Sequence, residues 1–193
     1  MNLIETCAYL CDQSYSDVNP NFVTVDDLKY GVFETDHGKI IVIRGTDNLE
    51  NWGVNANVLP ARSCGGFLAH KGFIRAYREL CSGGMPTEKN PNIIATGHSL
   101  GGALATLLAE HIGCKLVTFG SPRVYWRFGK APKLDHIRIV RDDDPVPEIP
   151  KFLYRHTQEP LVLKDGDHRG LQVKDHFMAG YIEAYAKALK EQK

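Results

Sequence analysis

Between Asn92 and Phe119 an apolar run, a glycine-framed serine, a helical stripe and a second apolar run follow one another without a break, and this stretch restricts the fold most. Ile93-Ile94-Ala95-Thr96 reads as a strand that runs directly into Gly97-His98-Ser99-Leu100-Gly101. From Leu100, apolar residues recur at Ala103, Leu104, Leu107, Leu108 and Ile112, the spacing of a helix that stops near Gly113. Lys115 to Phe119 is the next strand. A strand, a helix and a strand in immediate succession predict a parallel pair with a right-handed crossover. The fold class is therefore α/β, a mostly parallel sheet flanked by helices.

The remaining segments fit around this unit. Residues 2 to 15 place Leu3, Cys7, Leu10, Cys11 and Tyr15 at helical intervals. Val32 to Thr35 and Lys39 to Arg44 form a hairpin through the turn Asp36-His37-Gly38. A helix is predicted over Gly72 to Leu80, a strand over His136 to Val140, an irregular loop at Pro145, Pro147 and Pro150, and an edge strand over Leu161 to Leu163. Phe177, Tyr181, Ala184, Tyr185, Ala188 and Leu189 outline a closing helix over residues 175 to 190. A chain of 193 residues is read as one domain, 1–193.

Charge excludes several functions. Basic and acidic residues balance at 23 each, so no global field draws the chain to nucleic acid or anionic lipid, and the expected substrate is neutral or weakly charged. No apolar run approaches the roughly 20 residues that span a bilayer. The first residues lack a basic stretch, and the five cysteines are an odd count without a CxxC pair. Both features predict reduced thiols, no secretory signal and a cytoplasmic setting. No metal or organic cofactor is expected.

Gly97-His98-Ser99-Leu100-Gly101 fits G-x-S-x-G, in which a serine sits on a tight strand-to-helix turn and flanking glycines make room for it. The bare pattern is weak, but here a strand runs in and a small-residue helix start runs out, as such a turn requires. A phosphate loop is the competing reading, and the chain lacks Gly-Lys-Ser/Thr and the dinucleotide fingerprint. Ser99 needs a base to take its proton and an acid to orient that base. Chain order on this fold runs serine, acid, histidine, which removes His37, His70 and His98. His111 lies about three turns up the helix and His136 precedes the best acids, leaving His156, His168 and His176. His176 is favoured because it begins the last helix, whereas His168 sits in a charged, glycine-rich loop. Asp142, Asp143 and Asp144 all follow a strand's C-terminal edge, and local physics does not choose among them.

With these residues in view, the chain resembles the class 3 lipases, the fungal-type triacylglycerol lipases with an α/β-hydrolase fold, over roughly residues 30 to 182. Five blocks carry the likeness in order: Arg44-Gly45-Thr46 with Asn51-Trp52, His70-Lys71-Gly72-Phe73, the Gly97 to Ala105 turn, Phe119-Gly120-Ser121-Pro122-Arg123-Val124, and Asp144-Pro145-Val146-Pro147. The family's aspartate precedes x-Val-Pro, which only Asp144 fits, and its histidine follows an aspartate, as in Asp175-His176. The resemblance thus implies the nucleophile Ser99 with Asp144 and His176. It also implies an oxyanion hole of the Thr46 and Leu100 N–H groups, with the Thr46 hydroxyl a third candidate donor.

The implied activity is hydrolysis of acylglycerol-type carboxylic esters through an acyl-enzyme, with a small-molecule ester or lipid as substrate. A phospholipase or galactolipase, or an inactive binding protein of the same fold, are the alternatives. Residues 47–58 correspond to a small lid that could touch a lipid surface in passing. They hold four asparagines and few large apolar groups, which predicts short or medium acyl chains in solution as the preferred substrates.

Overall fold

The computed structural model describes residues 1–16, 19–45, 59–164 and 176–191. The expected lid lies outside them. Helix α1 (Leu3–Gln13) starts with a reciprocal cap: the Asn2 side chain accepts the Glu5 N–H at 2.9 Å, and the Glu5 carboxylate accepts the Asn2 N–H at 2.7 Å. Its buried stripe includes Cys7, Leu10 and Cys11. The thiol of Cys11 lies 3.6 Å from the Thr96 hydroxyl, which seats the helix on the sheet.

Seven strands build that sheet: β1 (Phe22–Val25), β2 (Leu28–Thr35), β3 (Gly38–Ile43), β6 (Ile94–His98), β7 (Lys115–Phe119), β9 (His136–Arg141) and β11 (Pro160–Leu163). They stand in the order β1-β2-β3-β6-β7-β9-β11. The first three pair antiparallel, and every later pair is parallel. The predicted hairpin is β2 and β3, and the predicted edge strand is β11. An extra strand, β1, extends the antiparallel edge.

Strand β3 shows why the sheet centre reads as an unbroken apolar run. Ile40, Ile41, Val42 and Ile43 are all fully buried. Ile40 and Val42 join the core that holds Cys7 and Cys11 of α1 and Tyr181 of α4 (Met178–Glu191). Ile41 and Ile43 face the opposite core, with Phe73 and Leu80 of α2 (Lys71–Ser82) and Leu104 and Leu108 of α3 (Leu100–Ile112). Covering both faces lets successive residues be apolar, and each such side chain contributes about 1.5–3 kcal/mol.

A second, antiparallel sheet has the order β10-β8-β5-β4, made of β4 (Pro60–Arg62), β5 (Leu68–His70), β8 (Tyr125–Trp126) and β10 (Tyr154–Arg155). Its strands hold only two or three residues each, too few for alternation to mark them in the sequence.

His70 ends β5 and precedes α2, fully buried against the rings of Phe73 and Tyr154. Neither ring nitrogen has a hydrogen-bond partner, and burial pushes its pKa down from 6.5 to about 4. The unfolded chain therefore takes a proton at His70 before the folded chain does. This contribution to stability is intact above pH 6.5 and is lost as the pH falls towards 4. Between pH 7 and 5 the loss from this one group is about 2 kcal/mol, a fall in Tm of about 4–8 °C. Thermal unfolding of His70→Phe at both pH values should lack that part of the fall; an unchanged fall would place the pH dependence elsewhere.

Candidate active site

Strand β6 carries the chain to Ser99, which sits at φ 59°, ψ −131° immediately before α3. A positive φ on a residue other than glycine costs about 1–3 kcal/mol and persists only where the surroundings enforce it. Here they do. The Ser99 N–H donates to the Phe119 carbonyl of β7 at 3.0 Å, and the Ser99 carbonyl accepts the Gly102 N–H at 2.9 Å. A Cβ on Gly97 would lie 2.4 Å from the carbonyl of Gly101, and one on Gly101 would lie 2.0 Å from the carbonyl oxygen of Ile43. The two motif glycines thus mark backbone pressed against backbone.

This turn aims the start of α3 at the serine. The N–H groups of Leu100 and Gly101 fall in the first turn, where a helix supplies no carbonyl to receive them. Together with the helix dipole they favour negative charge beside Ser99.

Beyond β9 the three aspartates part company. Asp142 is exposed, and Asp143 is buried in an ion pair with the Arg141 guanidinium at 3.0 Å. Asp144 is buried, and its Oδ2 lies 2.6 Å from Nδ1 of His176. Its other oxygen accepts the Val146 N–H at 2.8 Å. Pro145 has no N–H, so Val146 offers the first backbone donor after the carboxylate, which orients Asp144 inward.

His176 joins this carboxylate to the serine's side of the sheet. Gly120 follows Phe119, whose carbonyl holds the Ser99 N–H, and adopts φ 56°. A Cβ there would lie 2.8 Å from Asp144 Oδ2 and from the Tyr181 hydroxyl, and 2.9 Å from Cε1 of His176. The imidazole, the carboxylate and the serine turn therefore converge at the C-terminal end of β7. Ser99 Oγ and His176 Nε2 are both buried and make no hydrogen bond to a protein group.

Three residues assist that the sequence did not mark as functional. Tyr181, read there as part of a helix face, donates its hydroxyl to Asp144 Oδ2 at 2.5 Å. Burial first, and then the neighbouring Asp144, push the phenol pKa well up, so it stays a donor. His98, set aside as a base by chain order, stacks on the His176 ring with centroids 4.5 Å apart. Its Nε2–H donates to the His176 carbonyl at 2.7 Å, which leaves Nδ1 to accept the Tyr15 hydroxyl, also at 2.7 Å. Burial, and then His176, hold His98 well below the usual imidazole range, consistent with this neutral tautomer. The motif's second residue thus holds the backbone at His176.

Other expected sites fall elsewhere. The ring of His156 is engaged by the Pro147 carbonyl at 2.7 Å, and His111 by the Tyr77 hydroxyl at 2.8 Å. Thr46 and His168 lie outside the described residues. Among the described residues no group of three His, Cys, Asp or Glu side chains could hold a metal ion, and no helix is long and apolar enough to cross a membrane.

Comparison with known families gives the arrangement its context. The model of the lipase (class 3) family matches residues 40–154, which include Ser99 and Asp144. The chain belongs to the class 3 lipase family. A secreted mono- and diacylglycerol lipase 1 of Fusarium solani is 33% identical over 148 residues, covering 66% of this chain and 44% of that protein. A secreted mono- and diacylglycerol lipase A of Penicillium cyclopium is 30% identical over 141 residues, covering 62% and 45%. The chain thus spans less than half the length of these relatives. The Rhizomucor miehei triacylglyceride lipase shares the α/β-hydrolase fold, with a TM-score of 0.63 at 23% identity over 83% of this chain and 78% of that one.

These relatives correct one expectation. The cytoplasmic setting inferred from the cysteines and the first residues conflicts with family members named as secreted. Three of the five thiols, Cys7, Cys11 and Cys114, are a poor guide to compartment because they are buried. Burial pushes Cys7 up to about 12 and Cys114 up to about 11, and it raises Cys11 further. Thiols held protonated in a core react slowly with oxidants in any compartment.

Proposed function

We propose that this class 3 lipase is a serine hydrolase that cleaves acylglycerol-type carboxylic esters, with Ser99 as nucleophile, His176 as base and Asp144 as its orienting acid. The 2.6 Å contact between His176 Nδ1 and Asp144 carries this reading, because it directs the other ring nitrogen away from the acid with a lone pair free to take a proton. The names of the fungal relatives support mono- and diacylglycerols as the substrate class.

In the acylation half, His176 Nε2 takes the Ser99 proton as Oγ attacks the ester carbonyl carbon. The carbonyl oxygen gains the charge, stabilised by the Leu100 N–H and by Thr46, the second donor implied by family resemblance. The intermediate collapses, His176 returns its proton to the departing glycerol oxygen, and the acyl group remains on Ser99. Water then adds by the same route and releases the acid. Asp144 holds the imidazole in the productive tautomer and stabilises the imidazolium. Its own contacts with Tyr181 and the Val146 N–H keep it in place.

A fluorophosphonate probe and a lipid series test this. Ser99 should be the labelled residue on peptide mapping, and fatty acid should be released faster from mono- and diacylglycerols than from phosphatidylcholine. Phosphatidylcholine cleaved as fast as the glycerides would favour the phospholipase alternative. A chain that neither labels nor turns over any ester would be the inactive binding protein.

A further inference from the structure

A second cavity, of about 620 Å³, is lined by none of Ser99, Asp144 and His176. Its lining includes four arginines, Arg123, Arg127, Arg138 and Arg155, against two acidic residues, Glu148 and Glu159. Arg123 is paired with Glu148. Arg155 donates to the Gly129 carbonyl at 2.7 Å, which fixes it without neutralising it. Setting Arg127, Arg138 and Arg155 against Glu159 leaves the lining with a charge of +2.

Arg138 carries most of the weight. It lies in the middle of β9, only 7% exposed, and its Nε donates to the Gln158 carbonyl at 3.1 Å. Its Nη1 is buried and has no hydrogen-bond partner, and among the described residues Arg138 makes no ion pair. Burial, and then the charge of Arg138, push both His136 and His156 down to about 3, so the imidazoles beside it stay neutral, and the carboxylates of Glu148 and Glu159 offset its charge in part. A desolvated, incompletely bonded guanidinium is costly on its own and is stabilised by an anion brought to it.

We propose that this cavity binds a phosphate group, with Arg138 at its floor and Arg127 and Arg155 at its mouth. The charge of the lining matches a phosphate dianion, and planar guanidinium forks suit its oxygens. The phosphate belongs either to a dissolved monoester or inorganic ion or to a phosphomonoester lipid headgroup; the ligand chemistry is the same. Such a site gives a lipid hydrolase a phosphate sensor separate from the groups that cleave the ester.

Two titrations separate the sources: melting temperature against inorganic phosphate at constant ionic strength, with chloride as control, and co-sedimentation with phosphatidylcholine vesicles with and without phosphatidic acid. The full chain should respond to at least one. A response to dissolved phosphate alone assigns a soluble ligand, and a response to phosphatidic acid vesicles alone assigns the headgroup. Arg138→Met should abolish the response. Arg127→Gln, which alters an exposed side chain and keeps the fold if Arg138→Met does not, should weaken it about tenfold, the equivalent of one charge-assisted bond. Arg75→Gln, on the exposed face of α2 and paired with Glu79, should leave it unchanged. The proposal is overturned if the wild type responds to neither probe, or if Arg127→Gln responds as the wild type does. The readout is binding, so neither result depends on ester hydrolysis.

Discussion

Ser99→Ala should lower the rate of p-nitrophenyl ester hydrolysis by at least about 10⁴-fold while leaving the melting temperature nearly unchanged. Both halves of that expectation come from the same atom. Ser99 Oγ is buried yet makes no hydrogen bond, so its removal costs the fold no partner. The backbone bonds that hold the turn, from the Ser99 N–H to Phe119 and from Gly102 and Ala103 to the Ser99 carbonyl, are untouched by the substitution. Alanine meets the same strain at φ 59° as serine does. A serine kept only for the turn would give the opposite pattern, a lowered melting temperature with activity following stability. Hydrolysis that survives in the folded variant would sink the assignment.

The strained turn was legible in the sequence because strain at this place has a compositional signature. A residue between two segments of opposite periodicity, framed by Gly97 and Gly101, can be read as a point where backbones touch. The β6-α3-β7 unit was legible for a related reason: both faces of these strands are covered, so their apolar runs are dense and bounded. Strand β1 and the small second sheet were not. Strand β1 pairs with β2 across the two-residue turn Asp26-Asp27, and β8 joins β5 and β10 from distant parts of the chain, but each of these strands holds only two to four residues. Short segments carry too few side chains for a period to appear.

The candidate site divides along the same line. Ser99 is announced by its local frame, and His176 by its place before a helix. Among the aspartates, spacing alone was silent, because what separates them is tertiary. Asp143 is taken by Arg141, Asp142 faces solvent, and Asp144 meets an imidazole 32 positions further along the chain. Tyr181 and Tyr15 were invisible as functional groups for the opposite reason. Each reads in the sequence as part of a helical apolar stripe, and the hydroxyl that reaches a polar partner sits at the end of the ring. Chain order sets His98 aside as a base, yet it says nothing about a ring that packs on another ring.

Asp144→Asn offers the most searching test of the proposed mechanism, because it replaces a single heavy atom and should cost about 10⁴ in kcat with little change in KM. In the wild type the carboxylate only accepts, so the His176 proton must sit on Nδ1, and Nε2 keeps the lone pair that is proposed to take the Ser99 proton. An asparagine can present its amide N–H₂ to Nδ1 instead. The imidazole then carries its proton on Nε2 and cannot accept one from the serine. The Val146 N–H holds the other carboxylate oxygen, so an asparagine that keeps this bond places its nitrogen where Oδ2 was, facing both His176 Nδ1 and the Tyr181 hydroxyl. The Val146 contact therefore favours the unproductive tautomer. Substrate binding, which does not pass through this side chain, should be preserved, and the variant should still fold because volume and shape are kept. A loss of less than about tenfold in kcat would mean that the imidazole is oriented by its stacking on His98 and not by the carboxylate, and the role proposed for Asp144 would fall.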